Sequence, residues 1–128
     1  MTTRNDLTLE ILIIDASTVA RRALAELARQ ARANASITTA DTIEQWSSTD
    51  PRIDPDLIVL STGEPQTIRA AVTSAPHAKI IVLGLNGDPL YRDQALAAGA
   101  DDYLPREQAP EKLGALIPRS TVEPTLIP

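Results

Sequence analysis

Short apolar runs recur along the chain, and each is followed by a stretch whose apolar residues return every three or four positions. ILII (11–14), LIVL (57–60) and KIIVLG (79–84) are continuous and rich in branched residues, the pattern of strands buried on both faces. SITTA (36–40) and DDYLP (101–105) are two further short runs, more polar, that also read as strands. A proline removes a ladder donor, so Pro105 places the fifth run at the border of a sheet. Between the runs, Ala20, Leu24, Leu27, Ala28 and Ala31 share one helical stripe behind a Ser17 cap. DTIE (41–44) has the spacing of a capping box, with Asp41 at the cap and a helix over about 41–48. TDPRIDP (49–55) reads as a loop. Pro65 suits a first helical turn, with Ile68, Ala71 and Val72 on its buried side and SAPH (74–77) as its end. Asp88 caps another helix with Pro89 at its first position, and Gly99 stops it. A last helix opens at Ala109-Pro110-Glu111 and fades near Pro118.

Five strands alternating with five helices predict a parallel sheet covered on both faces and joined by right-handed crossovers. Residues 1–8 read as a loose N-terminus, 9–118 as one domain, and the polar 119–128 segment as a linker or tail. The 128 residues are 43% hydrophobic, enough for one core, but with two Tyr, one Trp and no Phe that core is aliphatic. Trp46 is expected to be partly buried on the second helix, and His77 exposed in its Pro-flanked turn.

Chemistry enters mostly by exclusion. With no cysteine there is no disulfide, thiolate or cysteine-type zinc site, and a lone His77 excludes a multi-histidine metal site. A net charge of −5 speaks against a DNA reader. No apolar run is long enough to span a membrane and MTTRNDLTLE lacks an export signal, so a soluble, cytoplasmic protein is expected. Ser61 at the end of the third strand has no histidine base, and LSTGE is not a nucleophile elbow, which argues against a hydrolase. GLNGD (84–88) lacks the phosphate-loop lysine and reads as a turn.

ILIID with Asp15, PDLIVL with Pro65 shortly after it and, most specifically, RDQALAAGADDYL (92–104) resemble the receiver (CheY-like) domain of bacterial response regulators. Pro110-Glu111-Lys112-Leu113 is similar to the last helix of the NarL/LuxR-type branch. Over residues 9–117 the resemblance implies a flavodoxin-like α/β fold, a five-stranded parallel sheet of order 2-1-3-4-5 with helices on both faces.

The resemblance also implies positions for the family's chemistry, and this chain departs at most of them. Ser61 stands where the phospho-acceptor aspartate is expected. Asp15 and Ala16 stand for the acidic pair that holds Mg²⁺, so one carboxylate is missing. Gly84 replaces the Thr or Ser after the fourth strand, and Arg106 replaces the lysine after the fifth. The proline following that lysine becomes Glu107, with Pro105 two places early, while the aromatic switch is kept as Tyr103. GEPQTIR replaces the usual loop after the third strand, and the helix following it is expected to be short.

Phosphoryl transfer to a carboxylate needs Mg²⁺ to offset charge crowding, and Mg²⁺ wants several oxygen ligands at near-octahedral geometry. Asp15 alone does not supply them. The expectation is a non-enzymatic pseudo-receiver: phosphorylation-independent, without metal or cofactor, with Asp15 paired to Arg106 in place of the missing charges. Its partner is a protein or a second copy, met through the fourth helix, fifth strand and fifth helix at Tyr91, Gln94, Ala95, Ala98, Tyr103, Pro105 and Arg106. A DNA-binding output domain beyond residue 128, making this the regulatory part of a transcription factor, fits the same reading. Two alternatives stay open: phosphorylation at Ser61 or Thr62, and a small-molecule sensor using the vacated pocket. The Arg21, Arg22, Arg29 and Arg32 face of the first helix is a solvated side or an interaction surface.

Overall fold

The computed structural model describes residues 8–48 and 54–118. The expected N-terminal segment up to residue 7, part of the 49–55 loop and the 119–128 tail lie outside the described residues. The elements run β1 (Glu10–Ile14), α1 (Thr18–Ala31), β2 (Ser36–Ala40), α2 (Ile43–Ser47), β3 (Leu57–Leu60), α3 (Pro65–Ser74), β4 (Lys79–Gly84), α4 (Pro89–Ala98), β5 (Asp102–Pro105), a 3-10 turn (Arg106–Gln108) and α5 (Ala109–Leu116). All pairings are parallel and the order is β2-β1-β3-β4-β5, as expected. Register aligns Ile11 with Leu57, Leu57 with Lys79, and Ile81 with Asp102. Pro105 lies on the border strand opposite Gly84.

Because successive side chains of a strand point to opposite faces, the sheet builds two cores from one set of runs. Leu12, Ile14, Ile58, Leu60, Ile80 and Val82 pack with residues of α2, α3 and α4. Ile11, Ile13, Leu57, Val59, Ile81 and Leu83 pack with Leu24, Ala25 and Ala28 of α1 and Leu113 of α5. Fully burying one such aliphatic side chain contributes about 1.5–3 kcal/mol, which is why the three continuous apolar runs form the inner strands. Asp56 and Asp101 accept from the amides of Glu10 and Ile80, closing the strand starts where the ladder has no partner.

Ser17, Asp88 and Gly99 cap as expected: Ser17 Oγ accepts from Ala20 N, Asp88 from Leu90 N, and Gly99 sits at φ 122°. The α2 box is shifted by one residue. Thr42 is the cap and accepts from Gln45 N, while Gln45 Oε1 accepts from Asp41 N. Asp41 is released from capping because it pairs with Arg21. Trp46 is fully rather than partly buried, since α2 turns it under the sheet. The helix expected to be short, α3, runs ten residues, as long as α4.

The arginines of α1 divide by role. Arg22 and Arg29 face solvent, and Arg21 is tied to Asp41. Arg32, just past the helix, donates from Nε to Pro118 O at 3.0 Å and from Nη2 to Ile117 O at 2.6 Å. Lys79 Nζ reaches Leu116 O at 3.1 Å and pairs with Asp102. The last carbonyl of α5 and the two that follow it are thus held by two cations, the charge a helix C-terminus favours. Arg32→Met should remove these two charge-assisted bonds and a third to Ala31 O, and destabilise by about 1–3 kcal/mol. Amide exchange should quicken first in α5, and uniform quickening would contradict a local clamp.

Candidate functional site

The carboxyl ends of β1, β3, β4 and β5 meet on one rim, where open α/β sheets hold their ligands. Asp15 follows β1 and is buried, 7% exposed. Its amide donates to Ala40 O, its Oδ1 accepts from Ser17 N at 2.8 Å, and its carbonyl accepts from Arg21 Nη1 at 2.7 Å. Its Oδ2 is buried without a hydrogen-bond partner. Ala16, next to it, points to solvent.

Ser61 follows β3. Its amide donates to Ile14 O and its carbonyl accepts from Arg106 Nη2 at 3.0 Å, but its Oγ is also buried and unpartnered. An unmet buried polar group costs about 1–3 kcal/mol. The hydroxyl thus sits unmet at the foot of the rim, although Ser61 itself is only half-buried. Thr62 Oγ1 accepts from Glu64 N and so shapes the turn into α3.

The expected Asp15–Arg106 pair does not form. Arg106 reaches the Ser61 carbonyl, and Asp15 turns to the start of α1 instead. The physical reason is proximity: the Ser17 amide lies two residues away and is unpaired at the helix entrance, so it competes for the carboxylate first.

Gly84 and Tyr103 form the most constrained contact on the rim. Tyr103 is buried, 8% exposed, and its hydroxyl donates to Asn86 O at 2.6 Å. A Cβ built on Gly84 would overlap the Oη, Cζ and Cε2 atoms of that ring. The phenol therefore fills the volume any side chain at 84 would need, and the aromatic is turned inward.

Of the residues expected on a partner surface, Tyr91, Gln94 and Arg106 are exposed and Pro105 is half-buried. Ala95 and Ala98 are not on that surface. They are buried at 0% and 7% exposure, facing the sheet, because small residues let α4 approach it closely. Leu85, Leu90 and Tyr91 are the large exposed apolar residues beside the rim. Sequence reasoning missed Leu85 and Leu90, which lay in segments read only as a turn and a helix start. It also missed Asn86, whose role rests on a backbone carbonyl that no side-chain pattern encodes.

Two clefts open here. The larger, about 560 Å³, lies over β3, β4 and β5 and is bounded by Ser61, Pro65, Leu83, Tyr91, Tyr103 and Arg106. The smaller, about 230 Å³, lies between the loops after β1, β2 and β3 and carries Asp15, Asp41, Glu44 and Glu64.

The donor set beside Asp15 does not suit Mg²⁺, which takes near-octahedral oxygen ligation: Ala16 and Ser61 offer no carboxylate, and among the described residues no three Asp, Glu or His side chains group as metal ligands. No described helix is long and apolar enough to cross a membrane.

No family model matches the chain, and no curated protein matches it in sequence. Solved structures do resemble it. The beryllofluoride-activated DrrB receiver domain is 23% identical with a TM-score of 0.72, covering 86% of this chain and 94% of that one. The Vibrio cholerae chemotaxis protein CheY4 is 18% identical at a TM-score of 0.71, covering 85% and 95%. An orphan response regulator of H. pylori is 15% identical at a TM-score of 0.71, covering 88% and 95%. These likenesses establish the receiver, CheY-like form of the flavodoxin fold.

Proposed function

We propose that this chain is a response-regulator receiver that signals through protein contacts without aspartyl phosphorylation, its aromatic switch held in one position by an absent side chain. The observation that carries the reading is the overlap between Tyr103 and the space of a Gly84 Cβ. In a receiver that responds to phosphate, a hydroxyl residue at this place moves toward the phosphoryl group and the aromatic follows. Here there is no hydroxyl to move, and the ring already occupies the space. The acceptor position holds a serine whose Oγ is buried, and the cation position has one carboxylate, Asp15. Chemistry and switch are thus altered together, as befits a module that presents one fixed surface.

That surface runs over Leu85, Leu90, Tyr91, Gln94 and Arg106, beside the inward Tyr103. Exposed apolar residues rimmed by charge suit a protein partner or a second copy of the chain. The full-length T. maritima DrrB, an OmpR/PhoB homologue, is about twice the span matched here, this chain covering 50% of it. A following output domain in a transcription regulator is consistent with that arrangement, and a cytoplasmic place follows from the same reading. The similarity of 110–113 to the NarL/LuxR-type last helix favours that branch.

The decisive measurement is the amide spectrum with beryllofluoride and Mg²⁺ added. Resonances of Ser61, Gly84 and Tyr103 should stay in place. A saturable shift across them would restore ordinary activation and overturn the reading.

A further inference from the structure

The smaller cleft holds two buried acceptors that nothing satisfies. Asp15, 93% buried, leaves Oδ2 without a partner, and Ser61 leaves Oγ without one; both residues belong to the cleft wall. Asp41, Glu44 and Glu64 surround them. Compensation from the protein is thin. Arg21 pairs with Asp41 and with the Asp15 carbonyl, not with the Asp15 carboxylate, and Glu64 Oε1 accepts only from the Thr67 hydroxyl. Asp15 and Glu44 have no ion-pair partner among the described residues.

We propose that this cleft binds an organic primary ammonium group. A primary ammonium has three donors and no acceptor, carries a single positive charge and is compact, so it meets a floor of one carboxylate oxygen and one hydroxyl oxygen, whose own proton can turn away, with an anionic rim. Two acceptors, only one of them a carboxylate, are too few for Mg²⁺, which demands near-octahedral oxygen ligation. They suffice for an ammonium, whose remaining donor stays on water. With roughly 30 Å³ for each water displaced, the 230 Å³ space takes a short alkyl chain behind the charged head. The proposal is independent of the Tyr103 lock, so neither stands or falls with the other.

The test titrates the folded chain at fixed ionic strength with methylammonium, putrescine, an N-acetyl-lysine amide, choline and Mg²⁺, reading the amide shifts of Ser17, Ser61 and Thr62. The primary amines should give saturable shifts centred on these residues, and choline, which has no N–H donor, should not. Tighter binding of putrescine identifies a free small amine as the ligand, whereas tighter binding of the lysine derivative identifies a partner's lysine side chain. Asp15→Asn keeps the oxygen that accepts from Ser17, so the fold should persist, yet affinity should fall about tenfold or more with loss of the charge-assisted bond. Glu107→Gln, outside the cleft, should leave binding unchanged. Equal responses to choline and methylammonium, or saturation by Mg²⁺ alone, would overturn the proposal. An unaltered affinity in Asp15→Asn would overturn it as well.

Discussion

Gly84→Thr should be among the most disruptive single substitutions on the rim. Gly84 has no left-handed backbone angle, so a side chain meets no conformational penalty there. The entire cost is steric and falls on Tyr103. If the ring stays inward, overpacking costs about 1–3 kcal/mol. If it swings out, burial worth about 1.5–3 kcal/mol and a hydrogen bond worth about 1 kcal/mol are lost. The two routes span a loss of about 1–4 kcal/mol, a fall in melting temperature on the order of 10 °C for a domain this small. Gly84→Ala should share the sign, because its Cβ is already in the way. In a Tyr103→Leu background the same Gly84→Ala change should cost under about 0.5 kcal/mol, leaving a coupling of 2 kcal/mol or so in the double-mutant cycle. Additive costs would mean that the ring is not what fills the glycine's space. The tyrosine's position should also be readable in solution, since expulsion of the ring would move the surface around Leu85 and Tyr91 and alter association there.

Strand positions and most helix caps were legible in the chain because they rest on local rules, whereas the sheet order came only through the resemblance to receivers. Continuous apolar runs mark the inner strands, Pro105 marks the border, and Ser17, Asp88 and Gly99 mark helix ends. The identities of Ala16, Ser61 and Gly84 at or just past strand ends were readable too, and their reading as departures from a receiver's chemistry belongs to the function proposed above. What the sequence did not disclose is which partner wins when several compete. Asp41 could cap α2 or pair with Arg21, and the ion pair prevails because Thr42 caps instead. Asp15 could reach Arg106 or the Ser17 amide, and the nearer donor prevails. The orientation of Tyr103 is a three-dimensional fact: it follows from empty volume at residue 84, on a neighbouring strand and nineteen positions away by number. Helix faces fall between these cases. Ala95 and Ala98 share a stripe with surface residues in a linear reading, and only the docking of α4 decides which side meets the sheet.

On the function proposed above, the missing carboxylates and the inward Tyr103 are separate features, and restoring the first should not release the second. The double variant Ala16→Asp/Ser61→Asp would place three carboxylates around the end of β1 and β3, next to Asp41, Glu44 and Glu64. Without a metal, like-charge crowding at this rim should destabilise the fold by about 1–3 kcal/mol at low salt. Mg²⁺ should then bind, and at a hundredfold excess over its dissociation constant it should add about 2.7 kcal/mol of stability, a rise in melting temperature of roughly 10 °C. The unmodified chain should show almost none of this rise at the same ionic strength, since Asp15 alone gives the cation too few ligands. A double variant indifferent to Mg²⁺ would mean that the replaced loop at 63–69, rather than the missing carboxylates, closes the site. Even in the loaded variant the Tyr103 resonances should not move, because its phenol is held by Asn86 and by the space above Gly84, neither of which a metal at Asp15 alters. Movement of the ring on Mg²⁺ addition would show the two halves to be coupled after all, and would place the block on signalling in the carboxylates alone.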